Sequence, residues 1–370
     1  MLYDIILRKN FLSVISIFRY RCFPEFFFII AHCFPTDKSF LTKQEKALPS
    51  GLLRYIFYDI LYAKYRRQKP PDNSGVSMDR TVIYQISGQE EGLAVLEYLR
   101  KNGFSRHILS AMKTDKNAIL LNGLHAGGRA PLREGDLLRI HVPETESGEN
   151  IVPVPMKLSI LYEDQDILVV SKPADMPVHP SFGNYENTLA NGVAAYFQEK
   201  GLLCPFRCIN RLDRDTSGAL ILAKNPLSAS ILSAQMKNRL IRRTYLAVVK
   251  GITPEKGTVS APISRVSASV IKRQVDFSEG DPAVTHFERL AVSHEHSLLE
   301  IHLETGRTHQ IRVHMGYLGY PLPADYLYCP DYSRFSRQPL HSFQLTFTRP
   351  VTGAPLCVTA PVPSDIWERF

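Results

Sequence analysis

The feature that most constrains this chain is a polar loop that runs without a break into an apolar strand: Asn210-Arg211-Leu212-Asp213-Arg214-Asp215-Thr216-Ser217-Gly218, then Ala219 to Ala223. A short apolar run bounded by turn formers reads as a strand covered on both faces, so the fold must supply a layer on each side of a sheet. Loops at strand ends are where catalytic groups are commonly carried. Read on their own, Asp213 and Asp215 are either a paired general acid and base or turn residues bonded to local backbone. The flanking sequence alternates strand and helix signals. Ile160 to Asp164 and Ile167 to Val170 read as a hairpin, and Leu189, Val193 and Phe197 as one helix face ending at Gly201. Asn225-Pro226 supplies a cap and first turn for a helix with Leu227, Ile231 and Ala234 inward. Tyr245 to Val249 and the alternation Leu299, Ile301, Leu303, Thr305 read as strands; a helix with Ile311, Met315 and Leu318 on its apolar face is expected just after Arg307.

Upstream lies a smaller unit. Leu93, Leu96 and Leu99 mark a helix ended near Gly103, and Ser105 caps a second helix with Ile108, Leu109 and Met112 as its apolar face. Asn122-Gly123 is a tight-turn signal after the strand Ala118 to Leu121, and Leu137 to Val142 closes the unit as a strand. Residues 144–156 are acidic and Pro-rich, as a tether between domains would be. These boundaries predict a leader over 1–77, a small domain over 78–143, a linker over 144–156 and a main domain over 157–370. In the leader, the apolar runs are too short for a membrane span and are broken by Arg19, Arg21 and Glu25, so no stable membrane insertion is expected. Ser50 to Arg67 reads as a basic amphipathic helix, Met78 offers an alternative start, and the leader is expected to be dispensable for chemistry.

The net charge of +8 suggests an anionic partner, but residues 1–77 carry 12 Lys+Arg against 6 Asp+Glu, which leaves only +2 for the rest. Charge therefore decides little, and motifs must carry any claim on RNA. Six scattered cysteines fit a reducing, cytoplasmic setting, and Cys204 and Cys208 have no second ligand pair at zinc spacing, so no metal is expected. His294-Glu295-His296 is too tight for a helical zinc site and reads as a turn. A hydrolase built on Ser217 lacks the paired-glycine elbow.

The whole loop strongly resembles the signature of the RluA-type RNA pseudouridine synthases, in which the carboxylate four residues before Ser-Gly attacks the substrate; that position is Asp213. The resemblance recurs in Leu161-Tyr162-Glu163-Asp164, Lys172-Pro173-Ala174, Val178-His179-Pro180, Arg243-Thr244-Tyr245 and Thr305-Gly306-Arg307-Thr308-His309-Gln310-Ile311-Arg312, all in family order. It implies an α+β fold whose catalytic domain is a mixed, largely antiparallel sheet flanked by helices. It also implies a cofactor-free isomerase, monomeric, acting on structured RNA, with large-subunit ribosomal RNA the first choice and transfer RNA the second. The small unit resembles the S-four-like RNA-binding domain in Phe104-Ser105-Arg106, Leu121-Asn122-Gly123 and Leu132 to Asp136.

The site this implies has Asp213 as nucleophile and Tyr245 stacked on the target uracil. Arg307 is expected to form an ion pair with Asp213, the amino end of the following helix adding positive potential beside it. Asn210, Arg211, Arg242, Arg243, His309 and Gln310 are expected to contact RNA in the catalytic domain, with Arg265, Lys272 and Arg273 at the entrance. Ser105, Arg106, Lys113, Arg129 and Arg133 are expected to do so in the small one. Four departures from the family pattern are Asn210 in place of a usual histidine, Asp175 in place of a usual glycine, Ala324 in place of the glycine before Asp325, and Cys329 in place of the glycine after Tyr328. The rival from another class is a non-catalytic RNA binder on the same scaffold.

Overall fold

The structure, a computed structural model, describes residues 75–145, 151–181 and 183–370. The expectations for residues 1–74, including the helix Ser50 to Arg67, and for 146–150 of the linker fall outside the described residues. The chain opens with β1 (Val76–Ser77) and β2 (Arg80–Gln85), followed by α1 (Val95–Lys101) and α2 (Arg106–Ala111), then β3 (Ile119–Leu121), β4 (Leu124–His125) and β5 (Leu137–Val142). The four strands β2 to β5 form a sheet in the order β2-β5-β3-β4. The Ser105 hydroxyl caps α2 by accepting the Ile108 N–H, satisfying one of the orphan donors of the first turn. Asn122 and Gly123 take φ of 51° and 82°, which turns β3 tightly into β4. Leu99, Leu138 and Ile140 are fully buried between sheet and helices.

The larger part begins with β6 (Ser159–Glu163) and β7 (Ile167–Lys172), then α3 (Leu189–Glu199), β8 (Leu202–Leu203), β9 (Arg207–Cys208), β10 (Ser217–Ala223) and α4 (Pro226–Lys237). After these come β11 (Arg242–Lys250), β12 (Lys256–Ser260), β13 (Ile263–Arg265), β14 (Arg273–Val275), β15 (Val284–Ser293) and β16 (His296–Leu303). The chain finishes with α5 (Gln310–Tyr317), β17 (Leu340–Thr348), β18 (Pro355–Thr359) and α6 (Ser364–Trp367). Ten strands make one sheet along the path β12-β15-β16-β11-β17-β10-β7-β6, with β18 on β17 and β9 on β10. Its pairs are antiparallel except β10 with β17, which run parallel through Ser217–His341 and Gly218–Ser342. All seven residues of β10 are buried, as expected of a strand covered on both faces. The result is the mixed, largely antiparallel α+β architecture that the sequence predicts.

Three expectations are corrected by packing. In α4, Leu227, Leu232 and Gln235 are buried and Ala234 is exposed. This helix serves two cores: Leu227 and Ile231 pack among the small unit's apolar residues, whereas Leu232 packs against the sheet. The tether is not free where it is described. Val154 N–H donates to Asn191 C=O, the Asn191 amide donates to Val152 C=O, and Met156 lies against Gly192. Finally, the structured chain extends upstream of Met78, because Val76–Ser77 pair parallel with Leu202–Leu203. Arg80 on β2 makes a bidentate ion pair with Asp166, at 2.8 and 2.9 Å, and Asp166 also accepts from Asn225 and Ser228.

Candidate active site

Asp213 sits on the turn that enters β10, and its backbone carbonyl accepts the Thr216 N–H that closes the turn. In the sheet, β17 lies between β10 and β11, so Tyr245 on β11 is two strands from the loop that carries Asp213. Arg312 on α5 completes the group. Its Nη1 donates to Asp213 Oδ2 at 2.9 Å, and its Nε and Nη2 clasp the two oxygens of Asp325 at 2.6 and 2.7 Å. Arg312 and Asp325 side chains are 1% and 0% exposed, whereas Asp213 keeps 22%. Burial pulls the Arg312 pKa down, but Asp325 and Asp213 outweigh it and hold the guanidinium charged. A planar fork suits this arrangement: one edge grips Asp325, and a remaining nitrogen presents positive charge to the half-open carboxylate.

This corrects the expected partner of Asp213. Arg307 is exposed, makes a loose pair with Asp281 at 3.4 Å and donates from Nε to Pro282 C=O. The reason is local: Arg307 precedes the helix, in the loop that ends in His309 at φ +59°, whereas Arg312 lies inside α5 on its buried side. The signal for Arg312 was present in the sequence as a lone cation within Ile311-Arg312-Val313, a charge that must be paired if the helix is buried.

Two other expected RNA contacts are committed inward. The Asn210 amide is 6% exposed, accepting Ile221 N–H at 2.8 Å and donating to Ala219 C=O at 3.3 Å, so it fastens the loop to β10. Gln310 accepts from the Thr305 hydroxyl and Arg307 N–H while donating to Val284 C=O and the Thr285 hydroxyl. Both act on the loops around the site. Arg243 is half-buried and donates to Thr305 C=O at 3.0 Å, passing so close to Gly306 that a Cβ there would lie 2.8 Å from its Nη1. Arg211 and Arg242 are exposed, as are Arg106, Lys113, Arg129 and Arg133 in the small unit. Leu318 is also exposed, so the apolar face of α5 rests on Ile311 and Met315.

Tyr245 is 5% exposed; burial pushes its pKa up, opposed by Arg243 and reinforced by Asp213, so the phenol stays protonated at neutral pH. His309 does reach the site. Its Nε2 is 3.9 Å from Asp213 Oδ2 and its Nδ1 is 3.0 Å from Tyr328 Oη, and burial lowers its pKa. The ring of Tyr328 faces the Arg312 guanidinium at 5.1 Å, and that of Tyr326 at 5.6 Å.

The loop bearing Asp213 is clamped from both sides, by Lys172 of the Lys172-Pro173-Ala174 motif and by Arg337 and Gln338, which belong to none of the motifs. Lys172 is fully buried and donates from Nζ to Pro173, Met176 and Arg214 carbonyls at 2.7 to 2.8 Å. Burial pushes its pKa down to about 7, while Asp215 and Asp213 act in the opposite sense. On the other side Arg337 donates to Asp215 C=O and to the Ser217 hydroxyl and is itself clasped by Asp365; Gln338 donates to the Thr216 hydroxyl. Ser217 and His341 are 2.9 Å apart, the distance of a nucleophile and its base. With Ser217 3% and His341 0% exposed, and the other imidazole nitrogen on Ala360 C=O, that pair is structural and a hydrolase reading ends there. Among the described residues no group of three or more His, Cys, Asp or Glu could hold a metal ion, and no helix is long and apolar enough to cross a membrane.

A sequence profile of the family described as RNA pseudouridylate synthase matches residues 166–317, a span that contains Asp213, Tyr245 and Arg312. The uncharacterised RNA pseudouridine synthase YjbO of Bacillus subtilis is 40% identical over 275 residues, covering 74% of this chain and 97% of that protein. The chain belongs to the RluA-type RNA pseudouridine synthases. Ribosomal large subunit pseudouridine synthase D of Neisseria meningitidis is 37% identical to this synthase over 265 residues, 68% of this chain and 71% of that one. Among solved structures, human RNA pseudouridylate synthase domain containing 1 is 29% identical, with a TM-score of 0.48 over 57% of this chain and 86% of that one.

Proposed function

We propose that this synthase isomerises a uridine of large-subunit ribosomal RNA with Asp213 as its nucleophile. The observation that carries the assignment is the Asp325–Arg312–Asp213 chain, in which a buried guanidinium fixed by one carboxylate holds a second, half-open carboxylate at 2.9 Å. Isomerisation breaks the bond from the anomeric carbon to nitrogen 1, turns the freed uracil, joins carbon 5 to the sugar, and moves the carbon 5 proton to nitrogen 1. It is redox-neutral and needs an oxygen nucleophile or base beside the sugar; as a nucleophile, an ionised carboxylate would act as it does in retaining glycoside hydrolysis. Arg312 engages Asp213 Oδ2, which leaves Oδ1 to face the substrate. Tyr245 offers the aromatic surface that a uridine swung out of its stack requires.

The relatives named for the large ribosomal subunit support that RNA class. The exposed Arg106, Lys113, Arg129 and Arg133 of the small unit fit backbone contacts to folded RNA, in keeping with an S-four-like domain. Asp213→Asn keeps the side-chain shape and removes the charge. Incubation with large-subunit RNA followed by digestion and a pseudouridine assay is expected to show product for the wild type and none for the variant, at an unchanged melting temperature. Turnover near wild type in Asp213→Asn places the nucleophile elsewhere.

A further inference from the structure

Strands β13 and β14 form a two-stranded hairpin outside the main sheet, joined across Ile263–Val275, Ser264–Gln274 and Arg265–Arg273. Its tip is built rather than slack. Val266 N–H donates to Lys272 C=O, Ser269 N–H to Val266 C=O, and Lys272 N–H to the Ser269 hydroxyl. This closed turn nevertheless presents two β-branched apolar side chains to solvent, Val270 at 81% and Ile271 at 49% exposure. Exposed aliphatics in an ordered turn are costly to display and gain free energy only when a partner covers them.

The hairpin is anchored to the wall of the active site. Arg273 N–H donates to Tyr328 Oη at 2.9 Å, and the Lys272 ammonium lies 5.9 Å from the Tyr328 ring centroid. Arg312 faces that ring at 5.1 Å, and the Tyr328 hydroxyl is 3.0 Å from His309. One aromatic ring thus separates the hairpin stem from the Arg312–Asp213 pair. Arg265 and Lys272, both exposed, place positive charge beside the two aliphatic residues. An apolar tip flanked by cations, next to a site that must receive an extruded base, matches the wedges that proteins insert between base steps while cations hold the adjoining phosphates.

We infer that Val270 and Ile271 form a wedge that enters stacked RNA beside the target uridine and covers the bases exposed when that uridine leaves the stack. The inference rests on the RNA-modifying reading above and assigns the hairpin a role in opening structured substrate. Removing the wedge slows modification of a stacked uridine and leaves an already unstacked one unaffected.

The test uses the full chain and two RNAs built around the uridine that it modifies in large-subunit transcript: a short hairpin holding that uridine within a helix, and an unpaired oligonucleotide of the same local sequence. The double variant Val270→Ser/Ile271→Ser is expected to lose about tenfold in single-turnover rate on the hairpin, the scale of an unstacking penalty no longer offset. On the unpaired strand it should stay within about twofold, which also shows that the variant is folded. Val270→Leu/Ile271→Leu is expected to restore the hairpin rate. Equal losses on both RNAs, or no loss on the hairpin, overturn the wedge. A wild-type chain that modifies no uridine of the large-subunit transcript sinks the functional reading, and the wedge with it.

Discussion

At the residue scale, two arginines five positions apart divide the work that the motif assigns to one. Arg312 is buried between two carboxylates, so Arg312→Ala strands Asp325, 0% exposed, without its cation. Breaking a buried pair from one side typically costs about 3–5 kcal/mol. Denaturant unfolding is expected to show a loss of that size together with loss of pseudouridine formation. Arg307→Ala removes an exposed, loose contact and is expected to change stability by less than about 0.5 kcal/mol. Equal stability losses in the two variants contradict this assignment. Two of the glycine departures also acquire a meaning: Asp175 and Ala324 keep the left-handed backbone that glycine would favour, at φ of 54° and 53°. An alanine there is strained by about 1–2 kcal/mol, partly offset by the greater unfolded-state freedom that glycine brings. Ala324→Gly is therefore expected to raise stability by up to about 1 kcal/mol, read as a higher denaturation midpoint.

At the scale of elements, the site depends on one unusual pairing. Strands β10 and β17 run parallel over two residues only, and there Gly218 takes φ +113° with its backbone against Ser342. A Cβ on Gly218 would stand 2.2 Å from Ser342 C=O, so the strands cannot pair as they do with any other residue. Gly218→Ala is expected to cost more than about 2 kcal/mol, through strain at a non-glycine conformation and a backbone clash. Because this pairing begins four residues after Asp213, activity should fall with it. A Gly218→Ala protein that melts like the wild type and stays active would show that the loop tolerates a different strand contact. The β11–β17 ladder shifts register between Thr244 and Tyr245, with Phe343 the extra residue on β17, in the same region, where an irregular ladder re-aims side chains.

At the scale of the molecule, the small unit is part of the fold. Asn73–Phe370 pack as one unit, Leu227 and Ile231 sit in the small unit's core, and Arg80 neutralises Asp166. A chain starting after the small unit is therefore expected to expose apolar α4 surface and to melt lower than the full chain. Arg80→Ala alone should cost about 2–4 kcal/mol, since Asp166 stays 7% exposed with neutral partners. If the truncated chain melts at the full-chain temperature, the docking contributes nothing. Acid should also weaken the fold. Burial lowers the pKa of His309, His314 and His341, so the unfolded chain binds protons that the folded one resists. Their contribution is present above the unfolded value of about 6.5 and is lost as pH falls through the lowered folded values. A denaturation midpoint that holds steady on acidification from pH 7 to 5 contradicts this.

The sequence by itself determined the elements and the family. Apolar runs of strand length, the caps Ser105 and Asn225 and the Asn122-Gly123 turn are local signals, fixed by backbone sterics and by donors that need partners nearby. The Asp213 loop was legible because its residue types recur in family order. Only the tertiary structure decided which arginine meets Asp213. Proximity in a motif says nothing about the direction a side chain takes where a loop enters a helix, and a left-handed His309 redirects the chain between Arg307 and Arg312. It likewise decided that Asn210 and Gln310 face inward, that Lys172 and Arg337 clamp the loop, and that the apparent tether lies against α3. Each of those contacts joins residues whose sequence separation erases any local pattern, and each forms because a buried polar group must find its partner wherever the fold places one.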